Sequence, residues 1–424
     1  MDIKVKTVLN RIQHLNGFIY QDTRLEETYG RVRLVISIGA HRQRPAHCSI
    51  CEEVAPGYDY EPERHWLFVP FWGIEVELRY RPRRVSCPTH GVVVEAMPWN
   101  EGKRSTSKAM MQFLGQWARR LSWQETARVF RVPWVSVCRS VEWMVAWGLK
   151  QRVLDGIHAL GIDEIHWRHG LHSKSYMTVI SQIDTDQVRR VLWVGLRRTQ
   201  RTLKQGLATL GQDVCAGVRL VCSDMWEPYR QVIAKKLPQV KHLLDRFHVT
   251  LNLNKAVDTV RRQETAGLKQ GAYGREQLKS MRWTLLRRHS RVLGKARARL
   301  EQLIRGHSKT ARAYVLKESF VHFWSYKSVT WARNFLTAWT TRALKSRMKP
   351  MVKLARSLRE HEELILNWIR FRHELLTGAV EGLNNKIRVV TKRAYGFRTY
   401  RVLELALYHT LGHLPDPPST HEFW

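Results

Sequence analysis

Two short apolar runs in this chain each carry an aspartate, and they constrain its fold more than any other feature. One is Ala159-Leu160-Gly161-Ile162-Asp163-Glu164-Ile165; the other is Val218-Arg219-Leu220-Val221-Cys222-Ser223-Asp224. Burying an ionised carboxylate costs several kcal/mol unless a cation or hydrogen bonds offset it. Two buried strands that each carry an Asp therefore suggest a shared divalent-metal site. A turn-capping role for each Asp is the competing reading.

The 424 residues allow two to four domains, and 44% hydrophobic content supports a proper core. Lys and Arg total 71 against 37 Asp and Glu, a net charge of +34. That surplus points to a polyanion, most simply nucleic acid, with a membrane surface as the rival. No apolar run reaches the about 18 residues that a spanning helix needs. The first residues, Met1-Asp2-Ile3-Lys4-Val5-Lys6, lack a signal-peptide core. Six cysteines, unevenly spaced, do not make a disulfide scaffold, so a reducing cytoplasm is expected.

Residues 1–104 read as a zinc-binding β module. Val32, Leu34, Ile36 and Ile38 alternate as in a strand, as do Ile74, Val76, Leu78 and Tyr80. Cys48-Ser49-Ile50-Cys51 and Cys87-Pro88-Thr89-His90 each supply two corners of a tetrahedron, and one structural Zn2+ is expected. His47 and His65 are alternative ligands to His90. Arg79, Arg81, Arg83 and Arg84 flank the site and are candidate phosphate contacts.

Residues 105–154 read as a helix-turn-helix. Ser107 can cap a first helix, and Ser122 with Glu125 makes a capping box for a second. Pro133 then precedes a third. In the helix-turn-helix layout Ser136, Arg139 and Ser140 face the DNA groove. The usual turn glycine is absent. An ordinary three-helix packing unit is the alternative.

Residues 155–248 alternate as three strands (157–165, 175–184 and 190–196), a helix, a strand ending on Asp224, a helix and a strand ending on Asp245. The hairpin gaps fall at 172–174 and 185–187. This order is that of a ribonuclease-H-like α/β core, by fold-level analogy. In that fold the first and fourth strands are neighbours, so Asp163 and Asp224 converge. Residues 249–376 read as an all-helical insertion holding 28 Lys and Arg against 9 Asp and Glu, which points to DNA contact. Residues 377–424 return to the core. There Glu381 heads a basic helix in which Lys386, Arg388, Lys392, Arg393 and, further on, Arg398 are candidate DNA-backbone contacts. The fold class is thus multidomain α+β/α.

With these motifs in hand, the chain resembles the ISL-three family of insertion-sequence transposases. The resemblance rests on Cys48/Cys51/Cys87/His90, the helix-turn-helix of Trp123–Ser140, and Gly161-Ile162-Asp163-Glu164. It rests also on Ser223-Asp224-Met225-Trp226-Glu227-Pro228-Tyr229, Asp245-Arg246-Phe247-His248-Val249 and Val380-Glu381-Gly382-Leu383-Asn384-Asn385-Lys386. It implies an Asp-Asp-Glu enzyme with Asp163, Asp224 and Glu381 in the catalytic places. They would hold two Mg2+ ions, with Mn2+ as a substitute, for in-line phosphoryl transfer. Asp245 and His248 would sit on the strand beside Asp224 and support that site. Terminal inverted repeats and target DNA are the implied partners. A homodimer or higher assembly on DNA, no membrane, and a bacterial cytoplasmic, nucleoid-associated location follow. A non-catalytic DNA-binding regulator and a structure-specific nuclease are the rival functions.

Overall fold

The computed structural model describes residues 5–28, 30–42, 44–167, 176–184, 189–269, 273–374, 379–393 and 397–418. Two compact units emerge. Unit 1 is residues 1–153 with 392–424, and unit 2 is residues 154–391.

Unit 1 opens with helix α1 (Val5–Ile12) and strands β1 (Phe18–Thr28), β2 (Arg31–Ala40), β3 (Gly57–Tyr60), β4 (Arg64–Phe71), β5 (Ile74–Tyr80), β6 (Arg83–Cys87) and β7 (Gly91–Val94). They form a four-stranded sheet, β1-β2-β5-β4, and a three-stranded sheet, β3-β6-β7. The alternation in β5 works as its sequence implies. Val76, Leu78 and Tyr80 are buried with Phe18, Trp66 and Trp99, whose rings meet edge to face. The opposite face carries ion pairs, among them Arg79 with Glu77 and Glu26. Buried Glu95 accepts from the Tyr80 hydroxyl at 2.6 Å and from the Arg83 guanidinium at 2.6 and 2.9 Å. Arg84 pairs with Asp59, and Arg81 lies over the Tyr60 ring. The four arginines near the cysteines are thus engaged within the unit itself.

Three helices follow: α2 (Lys108–Arg120), α3 (Trp123–Val129) and α4 (Trp134–Gln151). Ser107 caps α2 and the Ser122–Glu125 capping box is complete. Arg131 takes the left-handed backbone (φ 52°) in the turn before α4, where glycine is the easier residue. The C-terminal helix α17 (Tyr400–Leu411) packs on α4, and Arg119 of α2 pairs with Asp416 at 2.5 Å. Gly148 of α4 allows the tail to approach, since a Cβ there would stand 2.7 Å from that of Leu414.

Unit 2 is built on five strands: β8 (Ala159–His166), β9 (Tyr176–Gln182), β10 (Arg190–Leu196), β11 (Leu220–Ser223) and β12 (Lys241–Leu244). Their order is β10-β9-β8-β11-β12, antiparallel on the β9 side and parallel from β8 through β12. Helices α5 (Gln200–Leu210), α6 (Gln212–Gly217) and α7 (Glu227–Lys236) lie between the strands in sequence. Leu160, Ile162 and Val221 join a core with residues of α5 and α7. Ala159, Leu220 and Cys222 join a second core on the other face. A sheet buried on both sides reads as near-continuous apolar runs, which explains the composition of β8 and β11.

The second core is largely helical. It is made by α8 (Arg246–Gly267), α9 (Tyr273–Ser280), α10 (Arg282–Leu286), α11 (Gly294–Arg305), α12 (Lys309–Phe320), α13 (Val329–Lys345), α14 (Lys349–Glu360) and α15 (Glu362–Arg370). Pro350 stands in the first turn of α14, where its missing N–H costs nothing. Helix α16 (Ala379–Arg393) follows. The hairpin gaps at 172–174 and 185–187 lie outside the described residues.

Candidate metal and nucleic-acid site

Register brings the two aspartates together. Ile162 of β8 pairs with Ser223 of β11 in a parallel ladder, so Asp163 and Asp224 occupy the next positions on neighbouring strands. Both are buried, at 7% and 8% exposure. On β8, Ala159 and Asp163 have one parity, Leu160 and Glu164 the other, so Asp163 belongs to the face covered by α8. There His248 Nε2 lies 3.4 Å from Asp163 Oδ1, and Asn384 of α16 donates to Asp163 Oδ2. The Glu164 amide donates to Asp163 Oδ1 at 2.8 Å.

Asp224 is held differently. Its Oδ1 accepts from the Trp226 amide at 3.0 Å, and its Oδ2 accepts from Arg198 at 2.7 Å. The same guanidinium nitrogen lies 2.9 Å from Glu164 Oε1, and the group sits 4.2 Å from the centre of the Trp226 ring. Arg198 was not marked by any sequence signal, being one of many arginines. The role of Asn384 also had no signal beyond its place in the Val380–Lys386 run.

Asp245 and His248 depart from expectation. The last strand ends at Leu244, and Asp245 caps α8 through the Phe247 amide at 2.8 Å. His248 is in the first turn of α8, not on a strand. An Asp is a good helix cap, and this cap turns the chain so that His248 reaches Asp163.

The electrostatics are those of crowded acids. Burial, then Asp224 and Asp163, push Glu164 up to about 8. Against burial, Asp163 and then Asp245 and Asp224 raise His248 to about 9. Glu164 Oε2 is buried with no hydrogen-bond partner among the described residues. Asp163, Asp224 and Glu164 offer oxygen donors of the kind a hard divalent cation takes, with Arg198 and His248 as their present counter-charges. The backbone of Glu381 lies in α16, one turn before Asn384, and its side chain lies outside the described residues.

The cysteine pairs form a second centre. Cys48, Cys51, Cys87 and His90 have ligand atoms all within 4.8 Å of one another, the only such group of three or more His, Cys, Asp or Glu among the described residues. Cys51 and Cys87 Sγ are 3.7 Å apart, and His90 Nδ1 is 3.7 Å from Cys48 Sγ and 3.6 Å from Cys87 Sγ. Around a tetrahedral zinc, thiolates stand roughly 3.8 Å apart and a thiolate and imidazole nitrogen roughly 3.5 Å apart. The group can thus hold a metal such as zinc. Against burial, the amides of Thr89 and His90 and the His90 ring bring the Cys87 thiol down to about 6. His47 Nδ1 is bound at 2.8 Å to the Glu52 carbonyl and His65 pairs with Glu77, so neither competes with His90.

The expected DNA contacts divide. Arg139 is exposed, Ser136 half-buried and Ser140 fully buried. The Ser140 hydroxyl donates to the Ser136 carbonyl at 2.7 Å. Ser140 lies on the helical stripe with Val137, Val141 and Met144, so it cannot face a groove. Lys386, Arg388, Lys392 and Arg398 are exposed. Arg393 is half-buried and donates to the Arg119 carbonyl at 3.0 Å. Among the described residues, no helix is long and apolar enough to cross a membrane.

The ISL3 (ISL-three) transposase family model matches residues 160–407. The transposase for insertion sequence element IS1557 of Mycobacterium tuberculosis is 27% identical over 402 residues, 88% of each chain. That for IS1001 of Bordetella parapertussis is 28% identical over 333 residues, 78% of this chain and 80% of the other. Among solved structures, the Drosophila P element transposase strand transfer complex matches 73% of this chain and 92% of that one. Its identity is 12% and its TM-score 0.40.

Proposed function

The chain belongs to the ISL3 transposase family, and on that premise we propose that it cuts DNA at the ends of an insertion sequence and joins the freed 3′-hydroxyls to target DNA. The observation that carries this reading is the juxtaposition of Asp163, within β8, and Asp224, just past the end of the neighbouring parallel strand β11, with α16 bonded to Asp163 through Asn384. Glu381 stands one turn earlier in that helix, which supports it as the third acid. The strand order supports a ribonuclease-H-like core, with α8–α15 as its helical insertion.

In this reading Asp163, Asp224 and Glu381 hold divalent magnesium, or manganese. When bound, two such ions activate the attacking oxygen and stabilise the leaving one. The chain's own groups prepare that site. Asn384 and protonated His248 fix the Asp163 carboxylate from two sides. Arg198 fixes Asp224 and, stacked on Trp226, cannot swing freely. Water attacks first at the element end, and the 3′-hydroxyl so released attacks the target strand. Asp245 caps α8 and faces His248 at 3.8 Å.

Zinc at Cys48, Cys51, Cys87 and His90 is structural, and the helix-turn-helix of α3 and α4 reads the terminal inverted repeats through Ser136 and Arg139. Exposed Lys386, Arg388, Lys392 and Arg398 grip backbone phosphates. Two ends held at once require at least a dimer during reaction. The location is the bacterial cytoplasm, at the nucleoid. The test is Mg2+-dependent joining of a labelled terminal repeat to plasmid. D163N, D224N and E381Q should each abolish joining and spare end binding. Binding without joining by the wild type would leave a regulator, and cutting without joining a nuclease.

A further inference from the structure

We propose that a pocket between α11, α12 and α13 holds one nucleotide of single-stranded DNA. A cavity of about 340 Å³ opens there. Its floor is apolar: Ile304, Ala311, Val315 and Leu316. Its rim carries Arg312, Arg342 and His307, all exposed, and its lining has no carboxylate. Surface arginines of this chain commonly pair with acids, as Arg297 does with Glu301 and Arg333 with Glu363. Arg312 and Arg342 make no ion pair among the described residues. Among the described residues, the one side-chain hydrogen bond of either is from Arg312 to the Ser346 carbonyl at 3.4 Å, which leaves most of the guanidinium N–H groups free.

His307 and Arg347 both take the left-handed conformation (φ 51° and 58°), as the residues that end α11 and α13 just past their C-caps. Two uncommitted guanidiniums suit a phosphate, which they can engage bidentately. The apolar floor between them suits a sugar or base, which inorganic phosphate lacks. The size lies at the lower end of the usual range for small-ligand pockets, roughly 300–1,000 Å³. A single nucleotide fits these demands, and single-stranded DNA presents one with its base uncovered.

This inference rests on the reading of the chain as a DNA transposase. Its test uses the full chain, a fluorescent single-stranded oligonucleotide and anisotropy at several salt concentrations. R312Q/R342Q should weaken binding about tenfold and make the salt slope shallower by about 0.7, the value for one phosphate neutralised on a single strand. V315E, a change at an exposed floor position, should weaken it as well. K353Q/R356Q removes equal charge from exposed positions of α14 and should have a smaller effect. Melting curves check that each variant is folded. Thymidine 5′-monophosphate should compete better than inorganic phosphate. Equal losses in the two charge pairs, an unaffected V315E, or equal competition by phosphate would overturn the proposal. If the wild type joins DNA ends yet the pocket variants match the control pair, only the pocket reading fails. If the wild type binds no DNA, the proposed function fails with it.

Discussion

Asn384 donates to Asp163 across 221 positions of sequence, tying α16 to β8. An Asp oxygen free to rotate would lose the orientation needed for in-line chemistry, so Asn384 is a positioning residue. N384A should slow single-turnover joining by about 10- to 100-fold, equivalent to roughly 1.4–2.8 kcal/mol of barrier. Affinity for the element end should stay within about twofold, because a group acting only on Asp163 leaves ground-state binding intact. Wild-type joining by N384A, measured beside a mobility shift, would remove the role.

Arg198 stands where it both orders and competes. It holds Asp224 and Glu164 with one nitrogen, and its positive charge opposes a metal ion beside them. R198M should therefore separate two quantities. The half-saturating Mg2+ concentration should fall, since a competing cation is gone. The maximal joining rate should fall too, by about tenfold, since Asp224 loses its orienting partner. A rise in the Mg2+ requirement would mean that Arg198 serves only to assemble the site.

Two groups of unit 2 bind protons more tightly folded than unfolded. Glu164 is raised from 4.5 to about 8 and His248 from 6.5 to about 9. Between 4.5 and 8 the folded chain keeps the Glu164 proton that the unfolded chain has shed. Between 6.5 and 9 the same holds for His248. Stability must then decline as pH rises through both windows. Without divalent metal, the melting temperature of the wild type relative to that of E164Q/H248Q should fall from pH 6.5 to 9; the comparison cancels Cys87, whose lowered folded value acts in the opposite sense. H248Q alone should flatten the upper part of that slope and E164Q alone the part below pH 8. A wild-type melting temperature that climbs relative to the double variant's over this range contradicts the assignment.

Chelation should act on unit 1. The apolar cluster around the cysteines is small, with Ala46, Ala55 and Val85 as its buried members besides Cys48 and Cys87. Structural zinc binding contributes on the order of 10 kcal/mol at neutral pH, far more than such a cluster can supply. Elemental analysis should find one zinc per chain. C87S should lose it and melt at lower temperature, while the aspartate site of unit 2 keeps its pH profile. A fully folded, metal-free C87S would show that the cluster suffices alone.

How much of this was legible in sequence depended on whether a feature is local. The Ser122 capping box and the Cys and His spacing are local patterns, and each recurs in the structure; β11 does stop against Asp224, but β8 runs on past Asp163 to His166. The 190–196 strand matches its observed bounds. Asp245 and His248 were misplaced because a strand end followed by a helix cap looks, residue by residue, like a longer strand. Arg198 and Asn384 were missed because their importance comes from partners 26 and 221 positions away. By its sequence the tail beyond Lys392 continues the core, whereas in the structure the units divide near there and α17 packs on α4. That packing depends on a space over Gly148, which hydrophobic periodicity does not encode.

The correction at Ser140 yields the sharpest contrast between fold and DNA reading. Arg139 and Ser140 are adjacent, yet a 100° step around α4 puts one in solvent and the other in the core. S140A removes a hydroxyl already satisfied inside its own helix. It should cost no more than about 1 kcal/mol and leave end affinity unchanged. R139A should cost little stability. On duplex DNA it should reduce the salt slope by about 0.9 if the side chain meets one phosphate. If it instead meets a guanine edge, the loss should be about 1–3 kcal/mol and confined to the terminal repeat. Comparing the repeat with random duplex of equal length separates the two. Unchanged affinity of R139A for both would take α4 out of the interface and leave end recognition to other parts of unit 1.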